Sequence, residues 1–304
     1  MRIAIITKDN GKGLTRDAKI FRDLSLELGH DARIISFDRT PPKEPIADIA
    51  IFLELYHISW SRAGFQILLV PNEEWYPKEY VPFLSTVDLV LAKSVHALGI
   101  FREAGSEVEF LGMTSLDRWL DCDPQERLLH TPGNSLYKGT ASVVGAYLRP
   151  EARGFPEIEI PVREQRFTVR LPTNVRVIEE YVTEPDLRRK QNETLLLVQP
   201  SECEGYGHAI AEALSAGRPV LTIDAPPMNE LVDRSRGYLV DWKECIEANL
   251  GERYMTTASA VARAISEALD DREELERRGR NARAYWQEAD ASFRWRYGDI
   301  ISQL

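Results

Sequence analysis

The sequence predicts an α/β protein built from two doubly wound, parallel-sheet domains. Three observations carry that expectation. A chain of 304 residues is long enough to bury two separate cores. Its first forty residues read as strand, loop, helix, strand: an apolar run over Arg2–Thr7, a loop with Gly11-Lys12-Gly13, helical periodicity over Thr15–Leu28, and a second apolar run over Ala32–Phe37. The same order returns between Thr194 and Ile223, where two apolar runs flank a loop and a helical stretch.

Composition narrows the class. Hydrophobic residues make up 43% and charged residues 28%, an ordinary globular balance. No apolar run approaches the ~20 residues needed to span a bilayer. The opening MRIAIITKDNG passes straight into a strand, too short an apolar run for a secretory signal, so a cytoplasmic protein is expected. Cys122, Cys203 and Cys245 are odd in number and widely spaced, which fits neither a disulfide framework nor a metal site and agrees with a reducing compartment. Net charge is −10, which argues against a polyanionic partner while leaving room for a local basic groove.

In the first half, Leu14, Ala18, Phe21, Leu24, Leu26 and Leu28 give the first helix its apolar periodicity, and Gly29 stops it. Gly11-Lys12-Gly13 lacks the third glycine of a dinucleotide loop, and Asp38 is only a partial match for its acidic residue. Strands follow over Ile46–Leu53, Gln66–Val70 and Thr86–Ala92. A helix capped by Ser94 runs to Ala104, and Glu107–Leu111 closes the sheet. In such sheets the loops at the carboxyl ends of strands form the ligand crevice. His57, Asn72, Glu73, Glu74 and Trp75 are therefore candidates. His57 suits either acid/base work or a structural hydrogen bond, Glu73-Glu74 reads as a solvated turn, and Trp75 offers a face for a sugar ring or for packing.

Gly112–Pro124 reads as a hinge. Beyond it Arg127–Thr131 begins a second sheet, and Pro132-Gly133-Asn134-Ser135-Leu136-Tyr137-Lys138-Gly139 leads into a helix from Thr140. A glycine-bearing loop with a lysine at a helix start is a sensible phosphate site. Pro156–Val177 is strand-rich, Glu184–Lys190 is a short helix, and Arg236–Val240 is the last short strand. Met255–Leu269, Arg272–Trp286 and Asp290–Leu304 read as three helical segments. Phe293, Trp295, Tyr297, Ile300 and Ile301 give the last of them a heavy apolar load.

The sharpest signal is Pro200–Leu231. Glu204 and Glu212 stand eight apart, a little over two helical turns, so both carboxylates can lie along one helical face, with Gly205 and Gly207 just after the first. The glycines let backbone approach a ligand, and the amides from Tyr206 through His208 to Ala209 open a helix, where phosphate is favoured. A carboxylate at each end of a phosphate-sized gap suits a sugar on one side and a ribose on the other. Each Glu taken alone also fits a bland role, as a helix-start acid or a solvated face. Yet the helix around Glu212 is small and apolar, so that carboxylate needs a partner.

Glu204-Gly-Tyr-Gly-His-Ala-Ile-Ala-Glu212, followed by Ala213-Leu-Ser-Ala-Gly-Arg-Pro-Val220, resembles the signature of retaining GT-B glycosyltransferases of the family-four type. The resemblance implies two Rossmann-like domains facing a central cleft, over 1–120 and 121–285, with a C-terminal helix over 286–304 returning to the N-terminal domain. It implies transfer of a sugar from a nucleotide-diphosphate-sugar donor, with retention and without a metal or resident cofactor. Glu204 would hold the donor sugar and Glu212 the ribose, while Lys138 would neutralise the leaving diphosphate. Gly205, Tyr206, Gly207 and His208 would line the phosphates, and the loop with Asn134 and Ser135 would adjoin them. Many members carry an arginine near that loop; this chain has Asn134-Ser135, which leaves one charge to be supplied from elsewhere.

By the same resemblance, the loop ending in Met228, Asn229 and Glu230 would face the donor sugar. Backbone after Val175–Ile178, near Glu180-Tyr181, would read the base. Gly11 and Gly13 match the family's first loop loosely, and Gly29-His30 its first helix-to-strand turn. Asp121-Cys122-Asp123 looks like the metal motif of the other large glycosyltransferase fold, but it falls in the hinge, and no metal site is expected. The acceptor is left open among glycan, small molecule, protein and modified DNA, and the assembly between monomer and dimer. Three other readings stay open: a DNA-modifying, phage-type glycosyltransferase, a nucleotide-sugar epimerase on the same fold, and a binding module, against which intact Glu204, Glu212 and Lys138 argue.

Overall fold

The computed structural model describes residues 1–11, 13–162 and 167–304. Lys12 of the first glycine loop, and residues 163–166 of the strand-rich Pro156–Val177 stretch, lie outside the described residues. The chain divides into two compact units. One holds Met1–Ser115, Glu247–Glu252 and Ala289–Leu304; the other holds Leu116–Ile246 and Arg253–Glu288.

The first unit is built on β1 (Arg2–Thr7), α1 (Gly13–Glu27), β2 (Asp31–Ser36), β3 (Ala47–Glu54), β4 (Gly64–Pro71), β5 (Leu89–Ala92), α2 (Val95–Glu103) and β6 (Val108–Phe110). The strands are parallel, in the order β2-β1-β3-β4-β5-β6. Ile3 to Ile6 and Ile49 to Leu53 are buried throughout, the mark of strands covered on both faces. Gly64 opens β4 because a Cβ there would stand 2.7 Å from the Ala50 nitrogen. Ser94 caps α2 by accepting from the Ala97 N–H. Thr86, expected to begin a strand, instead ends a 3-10 run over Lys78–Thr86, and β5 starts at Leu89. The chain leaves β1 toward β2 and then returns to β3, so the switch point lies between the carboxyl ends of β1 and β3.

The second unit runs β7 (Arg127–Leu129), α3 (Thr140–Tyr147), β8 (Glu157–Pro161), β9 (Val175–Ile178), α4 (Glu184–Glu193), β10 (Leu196–Val198), α5 (His208–Ser215), β11 (Val220–Ile223), α6 (Met228–Leu231) and β12 (Gly237–Val240). Its sheet is also parallel, in the order β12-β11-β10-β7-β8-β9. Here the switch point lies between β7 and β10. Leu128, Ile158, Leu196, Val198 and Leu221 form the centre of its core with Val143 and Tyr147 of α3.

Two features depart from the sequence reading. β13 (Glu244–Ala248) and β14 (Gly251–Met255) pair as a two-stranded ribbon where no strands were expected. Asn249 supplies the left-handed turn between them, with φ 57°. In the first unit, the Leu250 N–H donates to the Glu73 carbonyl at 3.1 Å and the Asn249 amide to the Glu74 carbonyl at 2.7 Å. Then, after α7 (Ala258–Asp270), the two expected C-terminal helices are one: α8 runs from Arg272 to Gln303. Gln287, Glu288 and Ala289 are helix formers, so nothing in the sequence breaks it.

The last turns of α8, from Ala289, fall in the first unit. Phe293 and Tyr297 are buried against Phe21 of α1, with ring centroids 5.9 and 5.5 Å away. Ser25 Oγ donates to the Phe21 carbonyl, so its 2.6 Å contact with Tyr297 is the tyrosine hydroxyl donating. None of the described helices is long and apolar enough to cross a membrane.

Candidate functional site

The two loops that leave the switch point of the second unit carry Lys138 and Glu204. Lys138 Nζ lies 2.5 Å from Glu204 Oε2, with the lysine side chain 22% exposed and the carboxylate 7%. A free helix-start lysine would point to water; this one is drawn in. Glu204 Oε1 is buried and has no hydrogen-bond partner among the described residues. A buried carboxylate oxygen without a donor costs about 1–3 kcal/mol, so this one is suited to a ligand hydroxyl.

Backbone geometry brings the loops together. Gly139 has φ +72°, and a Cβ there would stand 2.1 Å from the Pro200 carbonyl oxygen, so only glycine fits. The Glu202 N–H donates to the Tyr137 carbonyl at 2.8 Å. Arg253 of β14 locks the pair: its guanidinium bonds Glu202 at 2.5 Å and lies 3.7 Å over the Tyr137 ring. The adjacent Tyr254 N–H donates to the Glu202 carbonyl at 2.7 Å. Arg253 thus places a cation beside the loop where the family resemblance left one to be supplied. No sequence signal pointed to it, because it arrives on the unexpected ribbon.

His130 sits at the root of the same loop and is fully buried. Its Nδ1 meets the Val198 carbonyl at 2.7 Å and its Nε2 meets Thr140 Oγ1 at 2.9 Å. A carbonyl only accepts, so Nδ1 carries the proton and Nε2 accepts from the threonine. Burial dominates and holds the imidazole pKa down at about 4, so it is neutral.

Glu204 precedes α5 rather than lying on it, so the two glutamates do not share a helical face. Glu212, 2% exposed, belongs to a separate cluster. Gln191 Nε2 donates to its Oε2 at 2.8 Å, and Arg118 Nη2 lies 3.2 Å from its Oε1. Arg118 also pairs with Glu184. The expected partner for this buried carboxylate is therefore an arginine from the hinge and an amide from α4.

The other expected residues are spread around these two clusters. Gly207 caps α5 at φ +99°, and Tyr206 meets the His208 ring edge-on at 5.3 Å. Gly205 lies between them and Glu204. Ser135 Oγ accepts from the Tyr137 N–H at 3.2 Å, in the turn with Asn134. Met228 is buried at the start of α6, the Asn229 amide donates to Asp224 at 3.1 Å, and the Glu230 carbonyl accepts from Arg236 and Tyr285. Gly11, Gly13 and His57 belong to the first unit. Gly11 has φ +62° and donates to Asp9, Gly13 begins α1, and His57 meets Phe37 and Tyr80 edge-on at 4.7 and 6.0 Å.

Comparison with known proteins agrees with this architecture. Sucrose-phosphate synthase from Thermosynechococcus elongatus is similar at 13% identity and a TM-score of 0.75, over 100% of this chain and 98% of that one. A glycosyltransferase from Rickettsia africae ESF-5 gives 13% and 0.74, over 99% and 98%. The pneumococcal O-GlcNAc transferase GtfA, solved with UDP and GlcNAc, gives 13% and 0.59, over 84% of this chain and 56% of that one. No curated protein matches the sequence. Residues 168–285 match the family described as glycosyl transferases group 1.

Residues 168–285 are thus similar to glycosyl transferases group 1, and the chain as a whole has the GT-B fold.

In the first unit, the carboxyl edge of the sheet carries a buried polar cluster of which only Asn72 was a candidate in the sequence. Lys93 Nζ, just beyond β5, lies 2.8 Å from Asp17 Oδ2 and 2.8 Å from Asn72 Oδ1. The Asn72 amide in turn donates to Glu54 Oε1 at 3.4 Å. Asp17 could have been noticed as a polar residue on the apolar stripe of α1, and Lys93 and Glu54 as charges closing buried strands. Glu73 and Glu74, read as a solvated turn, are 2% and 4% exposed. They are covered because Gly251 approaches them closely: a Cβ on it would sit 3.0 Å from the Glu74 nitrogen.

Glu54 sits at the switch point with φ 69°, a left-handed conformation that costs a non-glycine residue about 1–2 kcal/mol. Burial pushes its carboxyl up, against the pull of the Lys93 ammonium. Asparagine tolerates this conformation and carries no charge. Glu54→Asn should therefore raise stability by about 1 kcal/mol in urea unfolding. A loss of that size would mean that the carboxylate holds the strand end in place.

Proposed function

We propose that this chain moves a sugar from a nucleotide-diphosphate-sugar donor to an acceptor hydroxyl, with retention, and with no metal or resident cofactor in the transfer step. The observation that carries the reading is the Lys138–Glu204 pair at the switch point of the second unit, with Glu204 Oε1 buried and unpartnered among the described residues. Glu204 orients the donor sugar by accepting from its hydroxyls. Lys138 and the amides of Gly205, Tyr206, Gly207 and His208 neutralise the diphosphate as the glycosidic bond breaks. Protein cations in this role, Lys138 first and Arg253 beside it, make a divalent ion unnecessary. Asn134 and Ser135 flank the phosphates, and Met228, Asn229 and Glu230 close the sugar side.

Glu212 binds the ribose in this reading. Gln191 meets one of its oxygens and Arg118 the other. A carboxylate offers about four acceptor positions, so a ribose hydroxyl can join these partners without displacing them. A nucleotide donor is also supported by the pneumococcal O-GlcNAc transferase, which shares the fold and was solved with UDP. Among the described residues Cys122, Cys203 and Cys245 form no disulfide, which suits a reducing cytoplasm.

The test is a thermal-shift panel of UDP, GDP, ADP, CMP and their common sugar conjugates. One diphosphate nucleoside should raise Tm by mass action. Glu212→Gln should weaken that nucleotide about tenfold, since it removes a charged acceptor while keeping the shape that Arg118 and Gln191 enclose. Glu204→Gln should leave nucleotide affinity intact and reduce transfer. A panel without any shift, or equal effects of both variants on nucleotide affinity, would overturn the assignment.

A further inference from the structure

The second unit has a cavity of about 420 Å³ at the opposite edge of its sheet from Lys138 and Glu204. Leu195 and Pro219 line it, and they immediately precede β10 and β11, whereas the Glu204 loop follows β10. Its walls are the hinge from Trp119 to Pro124 and α8 from Arg272 to Arg283. The volume falls within the range of small-ligand sites.

Arg218, Arg272, Arg280 and Arg283 line it beside Asp121, Asp123 and Glu276, and the arginines differ in how they are neutralised. Arg283 is held by Asp117 at 2.6 and 2.9 Å, and Arg272 by Glu126 and Glu276. Arg218 has no ion pair among the described residues. Its Nη2 donates to the Cys122 carbonyl at 3.0 Å, and its Nε is buried without a partner. Arg280 is exposed and also has no ion pair among the described residues. Asp121 and Asp123 line the mouth but are exposed, so water screens them. Burial also lowers the pKa of Arg218, outweighing the pull of Cys122 and Asp123.

A half-buried guanidinium with an occluded, unused N–H is costly in protein and well matched to a tetrahedral oxyanion, which accepts from neighbouring N–H groups of the fork. The Trp119 ring, 45% exposed, packs against Gly217 so closely that a Cβ there would lie 2.9 Å from it, which fixes one wall. We propose that this cavity is a second ligand site, separate from the transfer site, which binds a phosphate group through Arg218 and Arg280.

Cys122 makes the proposal testable. It is exposed, lines the cavity, and its carbonyl holds Arg218, while Cys203 is buried. With Cys245→Ser as background, the rate of Cys122 modification by an aromatic disulfide would be followed at constant ionic strength against inorganic phosphate. Phosphate should slow the reaction saturably, and Arg218→Gln should raise the half-protection concentration at least about tenfold. Arg280→Gln, at an exposed position, should weaken protection too, and it carries the test should Arg218→Gln fail to fold. Lys138→Ala should leave protection unchanged, which separates this site from phosphate bound at the transfer site. Modification unaffected by phosphate in the folded protein, protection retained in both arginine variants, or protection lost in Lys138→Ala would each overturn the proposal.

Discussion

Lys138→Ala should lower kcat for transfer by about 10²–10³, the usual loss when one preorganised group is taken from a developing charge. In the proposed transfer the diphosphate would gain negative charge as the glycosidic bond breaks, and Lys138, on the loop after β7, would be the cation that meets it. Donor affinity should fall less than kcat, because the bound donor already carries most of its charge in the ground state. The same change also has a structural cost. Glu204 is 7% exposed and would lose the ammonium that pairs with it, leaving a buried carboxylate to be carried by the fold. Stability should drop by about 1–3 kcal/mol for that reason. Lys138→Met with Glu204→Gln should recover most of the stability and none of the activity. That double variant separates the two effects, and urea unfolding beside single-turnover kinetics would read them. A kcat within about threefold of wild type in the folded single variant would remove Lys138 from the site.

Legibility in the sequence followed the range of the interactions involved. Strands such as Arg2–Thr7 and Ala47–Glu54 are continuous apolar runs, buried on both faces, so their place in a parallel sheet is written locally. The loops with Lys138 and Glu204 were legible as glycine-bearing turns at strand ends. What was missed depends on residues distant in the chain. Arg253 reaches Tyr137 and Glu202 from a ribbon whose first strand, Glu244–Ala248, is mostly exposed and has no apolar alternation. Glu73 and Glu74 look like a solvated turn until Asn249–Gly251 covers them. The length of α8 was obscured for another reason. Its apolar face changes partners near Ala289, so the periodic pattern breaks although the helix does not.

Between about pH 6.5 and pH 4 the protein should lose about 3 kcal/mol of stability through His130 alone, the free energy of a pKa lowered from 6.5 to about 4. The sign follows from where the proton goes. In this window the unfolded chain binds a proton at His130 and the folded chain does not, so acid favours unfolding. The contribution is complete above the unfolded pKa and is lost as pH falls through the folded one. Carboxylates add an acid limb of their own, so the quantity to measure is the difference between wild type and His130→Asn in urea unfolding across this range. Asparagine keeps a donor near the Nδ1 position and does not titrate. The variant should be less stable at pH 7, because Thr140 loses its acceptor, yet flatter toward acid; an unchanged acid limb would show that His130 titrates normally. The consequence for the site is direct. Thr140 is the first residue of α3 and follows Gly139, so a proton on Nε2 removes the acceptor that anchors the Lys138 loop. Acid should therefore loosen that loop before it unfolds the sheet, and transfer should fall with pH earlier than stability does.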